Sequence, residues 1–143
     1  MKTILAASLI AFAAFAEPTL NKEQQIVALT LLAEARGEGT EGMEAVAMVI
    51  KQRMANRKQT ASQVCLARKQ FSCWNGKSSD DLQYLWQSPA ASDAIDVVHR
   101  FGDLDTAAIG YADHYCTVKI KPYWSNGKTP VAVIGNHKFF KLR

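Results

Sequence analysis

The strongest constraint on the fold is a stripe of apolar side chains in the residues that follow Thr40. These side chains recur at the i, i+3, i+4 and i+7 spacing of a single helix face. The members of the stripe are Met43, Val46, Ala47, Ile50 and Met54. The first turns of this segment are acidic and the last turns are basic, which complements the helix dipole. The pattern therefore predicts a helix after Thr40 that packs one face against a core.

A second helix is predicted upstream, because both of its ends carry recognisable signals. Asn21 is a good N-cap, and Gln24, three residues later, completes a capping box. Gly37 and Gly39 should end this helix within a turn of Ala35.

The downstream half of the chain changes character from helical to extended. A short helix is predicted over residues 60–67, and a helical region over residues 81–101 is interrupted near Pro89. The segments rich in β-branched and aromatic residues are 111–120, 131–134 and 137–142. Helices first and short strands later predict a single α+β domain with a small antiparallel sheet in its C-terminal part.

Residues 1–16 read MKTILAASLIAFAAFA and have the organisation of a secretory signal peptide. Lys2 supplies the positive n-region, residues 4–12 supply an apolar h-region, and residues 14–16 form an A-x-A cleavage site. The apolar run is too short to span a bilayer comfortably, so cleavage is favoured over a retained anchor. We therefore expect one mature domain, residues 17–143, exported to the periplasm or the extracellular space without stable membrane insertion.

The chain has three cysteines. An exported protein meets an oxidising compartment, where disulfides form. Cys65 and Cys73 are close in sequence and flank a predicted turn, so they are the favoured pair and Cys116 is left over. Three pairings remain open, because sequence alone does not choose among them.

No cofactor or metal ion is expected. The chain has neither C-x-x-C nor H-x-x-x-H spacing. The Gly37-Glu38-Gly39 segment lacks the strand and the later glycine of a dinucleotide-binding loop. The formal net charge of +4 suits an anionic polymer such as the bacterial wall, but it suits nucleic acid equally well. The chain is expected to act as a monomer, and its export signal argues against nucleic acid as a partner.

Glu34 is the main candidate for chemistry. It follows Val27 by about two helical turns and so shares a helix face with Val27, Thr30 and Leu31. Desolvation beside an apolar face and the carbonyl end of the helix dipole both disfavour a negative charge there. A carboxyl group that keeps its proton is what a general acid requires. A structural ion pair with Arg36 is the alternative role.

Two further regions suit the recognition of sugars, whose rings have apolar faces and polar rims. One is the QFSCW segment at residues 70–74, where aromatic and polar residues alternate, although closing the core is an equally favoured role for its rings. The other combines aromatic residues and histidines of the predicted strands. Glu38 is assigned to the turn and to substrate contacts. The predicted substrate-binding residues are Glu38, Gln70, Phe71, Ser72, Trp74, His114, Tyr115, Trp124, Asn136 and His137.

Residues 33–57 read AEARGEGTEGMEAVAMVIKQRMANR and resemble the signature of the SleB-type cell-wall hydrolases, the spore cortex-lytic family. The QFSC segment and the closing residues, namely His114-Tyr115, Trp124 and the IGNHKF run at 134–139, are similar to the later motifs of that family. The resemblance covers nearly all of residues 17–143 in the same order. One departure is Gln52, which stands where the family has Asn.

The resemblance implies a lysozyme-like α+β domain related to the lytic transglycosylases, with Glu34 as the catalytic acid. The implied substrate is peptidoglycan, cleaved between N-acetylmuramic acid and N-acetylglucosamine. A lytic transglycosylase needs one catalytic carboxylate, whereas a muramidase-type hydrolase needs a second, for which Asp113 and Glu38 are the candidates. A non-catalytic peptidoglycan-binding module is the remaining alternative.

Overall fold

Helices α1 (Lys22–Ala35) and α2 (Gly39–Arg57) form the frame of the computed structural model, which describes residues 20–143. The predicted capping box is present at the start of α1. The side chains of Asn21 and Gln24 each accept a hydrogen bond from the backbone N–H of the other residue. Both predicted helices are therefore confirmed.

α2 is buried on two sides, and every residue from 45 to 50 is buried. The predicted stripe faces α1 in a core formed by helices, through Met43, Val46, Ala47 and Ile50. A second face packs toward the sheet, through Ala45, Met48 and Val49. The periodicity identified only the first face, because two apolar faces on one helix weaken its amphipathic pattern.

Helical segments continue after α2: α3 (Ala61–Leu66), a 3₁₀ helix (Asp80–Gln87) and α4 (Ala91–His99). A second predicted capping box begins α3, where Thr60 and Gln63 exchange side-chain to backbone hydrogen bonds. Pro89 lies between the 3₁₀ helix and α4, as the predicted interruption requires. Shorter 3₁₀ turns cover Ser72–Trp74, Phe101–Asp103, Thr106–Ile109 and Tyr123–Ser125.

The sheet comprises β1 (His114–Thr117), β2 (Ala132–Ile134) and β3 (His137–Phe140) in the antiparallel order β1-β3-β2. Phe139 of the central strand pairs with Tyr115 of β1 and Ala132 of β2, and it packs in the core beside α2. β1 is shorter than the predicted segment, because Gly110 and Tyr111 both take positive φ in a turn before it. Helices first and a small antiparallel sheet later confirm the α+β single domain.

The predicted signal peptide, residues 1–16, lies outside the described residues. Within residues 20–143, no helix combines the length and the apolar character that a membrane span requires.

Candidate functional site

Glu34 and Tyr115 connect the end of α1 to the first strand of the sheet. Glu34 lies in the last turn of α1 and is half-buried. The Tyr115 hydroxyl donates a hydrogen bond to Oε2 of Glu34 at 2.7 Å. Burial raises the pKa of Tyr115 well above its usual value, and the nearby Glu34 carboxylate raises it further. The phenol therefore keeps its proton and remains a donor to Glu34 at neutral pH.

Packing restricts the position of the Tyr115 ring. The ring lies edge-on to His137, with centroids 5.2 Å apart, and stacks on Phe139 at 5.8 Å. His137 is buried beneath this ring. His137 therefore packs against Tyr115 and supports its ring, whereas the sequence analysis predicted that His137 contacts substrate.

Cys73 lies beside Glu34, and it is a free thiol, as are Cys65 and Cys116. The predicted Cys65–Cys73 disulfide is therefore absent, which corrects the expectation from sequence. Burial raises the pKa of each of these two thiols to about 12, and the Glu34 carboxylate adds to the effect at Cys73. Cys65 lies in α3 and Cys73 lies in the turn Ser72–Trp74, so the packing of these elements, and not the spacing in sequence, sets where the two sulfur atoms lie.

A cleft of about 270 Å³ opens next to Tyr115. The residues that line it come from α2, from the loop after α3, from β1 and from the turn at Tyr123–Ser125: Arg53, Lys69, Gln70, His114, Tyr115 and Trp124. Four of these six, namely Gln70, His114, Tyr115 and Trp124, were candidates from sequence. Folding brings them together from three separate segments.

Arg53 and Lys69 are lining residues that the sequence analysis missed. A signal for Arg53 was available, because it follows Ile50 by three residues and so places a charge on the apolar stripe. No pattern in the sequence singled out Lys69, whose position in the cleft depends on the fold of its loop.

Trp124 contributes an aromatic wall to the cleft. Its ring lies 5.1 Å from that of His114 and packs edge-on to Phe140 at 5.4 Å. The side chain is half-buried, so part of the indole remains accessible. An accessible indole beside polar groups suits the apolar face of a sugar ring.

The buried side chain of Asp113 holds His114 through a hydrogen bond. The residue is 1% exposed, and its carboxylate accepts hydrogen bonds from Nδ1 of His114 at 3.0 Å and from the Leu142 N–H at 2.9 Å. Asn56 donates to its other oxygen at 3.4 Å. Burial acts to raise the pKa of Asp113, but the hydrogen bonds from His114 and Leu142 outweigh it and lower the pKa overall. Asp113 is therefore an ionised structural group.

Glu38 connects the start of α2 to the turn between β2 and β3 through two hydrogen bonds. Its Oε2 accepts the Asn136 backbone N–H at 3.0 Å, and its Oε1 accepts the Asn136 side-chain amide at 3.2 Å. The backbone hydrogen bond is the main cause that lowers the pKa of Glu38. Glu38 and Asn136 are thus hydrogen-bonded to each other in this structure.

Phe71 and Trp74 lie in the core, where the sequence also allowed them to be, and they form no exposed sugar platform. Their exposed fractions are 2% and 8%. The Trp74 indole N–H donates to the Thr30 hydroxyl at 2.9 Å. The Arg53 guanidinium lies over the Phe71 ring at 5.2 Å. Ser72, between them, is exposed.

No three His, Cys, Asp or Glu side chains of residues 20–143 come together in a way that could hold a metal ion.

The model of the Cell Wall Hydrolase family matches residues 37–140. Comparisons with curated proteins and with solved structures gave no match. The matched range contains Glu38, the QFSC segment and the whole sheet, and it begins at Gly37, in the turn that follows α1. It confirms the resemblance to the SleB-type hydrolases. The chain therefore belongs to the cell wall hydrolase family, enzymes that act on peptidoglycan outside the cytoplasm.

Proposed function

We propose that this enzyme is a lytic transglycosylase that cleaves the bond between N-acetylmuramic acid and N-acetylglucosamine, with Glu34 as its one catalytic carboxyl group. The observation that carries the proposal is the hydrogen bond to Glu34 from Tyr115, which lines the cleft. Glu34 lies just outside the range that the family model matches, so its role rests on this geometry and on the EARGE motif.

In the proposed reaction, protonated Glu34 gives its proton to the glycosidic oxygen and the bond to the muramic acid anomeric carbon breaks. The 6-hydroxyl of the same muramic acid then attacks that carbon. Glu34, now a carboxylate, takes the hydroxyl proton and returns to its starting state. No water is consumed, and the product carries a 1,6-anhydro end.

The state of the other candidate carboxylates favours this mechanism over hydrolysis. A glycoside hydrolase requires a second carboxylate as nucleophile or base. Asp113 is buried and hydrogen-bonded at both oxygens, and both Glu38 oxygens accept bonds from Asn136. Every oxygen of these two carboxylates already accepts a hydrogen bond, and Asp113 is also buried away from solvent. A muramidase-type hydrolase, in which substrate displaces one of these partners, is the second candidate.

The cleft residues Gln70, His114 and Trp124 are proposed to bind the glycan, with Tyr115 holding Glu34. The proposed mature domain is residues 17–143, acting in the periplasm or outside the cell after removal of residues 1–16. A monomer is proposed as the active form.

The reaction type is tested by mass spectrometry of the muropeptides that the enzyme releases from purified sacculi. We expect 1,6-anhydro ends, which are lighter by one water than the reducing ends left by hydrolysis. Reducing ends in their place would establish a hydrolase and would require a second carboxylate. An Asp113→Asn variant compared with Glu38→Gln would then identify which carboxylate takes part.

Tyr115→Phe is expected to lower kcat about tenfold while leaving KM nearly unchanged. The Phe ring keeps the packing against His137 and Phe139, but the hydrogen bond to Glu34 is lost, and such a bond to a charged group contributes about 1.5–3 kcal/mol. The initial rate of sacculus solubilisation is measured over a range of substrate concentrations. A raised KM with unchanged kcat would instead make Tyr115 a substrate-binding residue.

A further inference from the structure

Arg53 carries a buried positive charge whose hydrogen-bonding capacity is only partly used. The residue is 6% exposed and lines the cleft. Its Nε donates to the Asp113 backbone carbonyl at 2.7 Å, and its guanidinium stacks on Phe71. Its Nη1, however, is buried and makes no hydrogen bond within residues 20–143. An unpaired buried donor on a charged group is costly, so Nη1 retains the capacity to bind one more acceptor.

Lys69 adds a second permanent charge to the same cleft. It is exposed and takes φ 61°, a left-handed conformation that non-glycine residues rarely adopt. In the part of the chain that the structure describes, the ion pairs are Arg100–Glu44 and His114–Asp113. Neither Arg53 nor Lys69 forms an ion pair there, although the Asp113 charge acts on Arg53, and none of the residues lining the cleft is acidic.

We propose that Arg53 and Lys69 form a subsite for a carboxylate carried by the muramic acid residue on which Glu34 acts. This inference rests on the proposed function, because the hydrogen bond from Tyr115 is what connects Glu34 to the cleft. The sugar rings of peptidoglycan are uncharged. Its carboxylates belong to the stem peptide, or to the lactyl group where the peptide is missing, and both extend from the sugar whose anomeric bond is cleaved. A guanidinium with a free N–H is well suited to a carboxylate.

The subsite gives the enzyme a preference for substrates that carry a carboxylate, which sugar contacts alone do not provide. Trp124 can pack on a sugar ring whether or not a carboxylate is present, because stacking on an indole requires no charge. Arg53 and Lys69 instead distinguish muramic acid from an uncharged sugar. Substrate that presents a carboxylate at this position should be bound more tightly and held in register with Glu34.

Calorimetric titration of the wild-type protein with four small probes tests the subsite. Two probes bear carboxylates: a GlcNAc–MurNAc tripeptide, and the GlcNAc–MurNAc disaccharide with a free lactyl group. Two do not: the same muropeptide with its carboxylates converted to methylamides, and N,N′-diacetylchitobiose. We expect at least about tenfold tighter binding of the carboxylate probes, since charged hydrogen bonds are strong. The tighter of the two locates the carboxylate on the peptide or on the lactyl group.

Lys69→Gln is expected to reduce the preference for carboxylate probes about two- to fivefold, which is the size of an exposed charge contribution. Lys58→Gln is the matched control, because Lys58 is also exposed and also takes a positive φ of 53°, yet it does not line the cleft. Arg53 is buried, so an Arg53→Gln variant serves only where circular dichroism shows that it folds. In that case it should remove most of the preference.

Equal affinity for the carboxylate and methylamide probes would overturn the subsite, and so would equal behaviour of Lys69→Gln and Lys58→Gln. The release of soluble muropeptides from sacculi is measured in parallel on the wild-type protein. Normal release with no carboxylate preference would overturn the subsite and leave the proposed function standing. Absence of both release and binding would overturn the two together.

Discussion

Glu34→Gln is expected to reduce the release of muropeptides from purified sacculi by about 10²–10⁴-fold, the range that general acid–base groups contribute. Gln has the size of Glu and its carbonyl oxygen can still accept the Tyr115 hydrogen bond, but it has no proton to give to the glycosidic oxygen. The variant should therefore fold and bind sacculi normally. Turbidity loss and chromatography of soluble muropeptides measure the rate, and co-sedimentation with sacculi measures the binding.

The control for this variant is Glu41→Gln, which neutralises an exposed carboxylate in the first turn of α2 and should leave the rate unchanged. Glu38→Gln should have an intermediate effect, because it weakens the contact with the turn at Asn136. If Glu34→Gln retained near-wild-type activity, Glu34 would not be the acid and the proposed mechanism would fail.

Trp74→Ala is expected to lower the free energy of unfolding by about 3–5 kcal/mol, as is typical when a buried large aromatic is truncated. The side chain is buried in the helical core and hydrogen-bonded to Thr30, so the substitution leaves both a cavity and an unpaired hydroxyl acceptor. Urea unfolding followed by far-UV circular dichroism gives the change. Trp74→Phe should lose less, because it fills much of the same volume.

The matched variant is Trp124→Ala, which removes a half-buried indole from the wall of the cleft. It should cost less stability than Trp74→Ala and should weaken co-sedimentation with sacculi. The reverse pattern, in which Trp74→Ala is stable but defective in binding, would show that Trp74 binds glycan, as its motif suggested.

Elements whose signals lie within a few residues were predictable from sequence. The two capping boxes, Asn21 with Gln24 and Thr60 with Gln63, are present because each depends on residues three positions apart. The end of α1 after Glu34 was predictable for the same reason, since glycines follow it. This local information was sufficient to place Glu34 in the last turn of a helix.

The composition of the cleft required the tertiary structure. The sequence identified the segments that carry Gln70, His114, Tyr115 and Trp124, but not the direction of each side chain. Trp74, four residues after Gln70, points into the core instead of the cleft. The prediction of a Cys65–Cys73 disulfide was wrong for a similar reason, because closeness in sequence does not set the direction of either side chain.

By itself, the sequence determined the order of helices and strands, the family and the helix end that carries Glu34, because periodicity, caps and motifs are properties of neighbouring residues. The tertiary structure alone decided which groups surround that carboxyl. The hydroxyl group that contacts Glu34 belongs to Tyr115, which is 81 positions away in the sequence. The lack of an acidic residue in the lining of the cleft around Arg53 depends on all the segments that together form that lining. Such contacts arise from the packing of α1, α2 and the sheet, which no local pattern in the chain encodes.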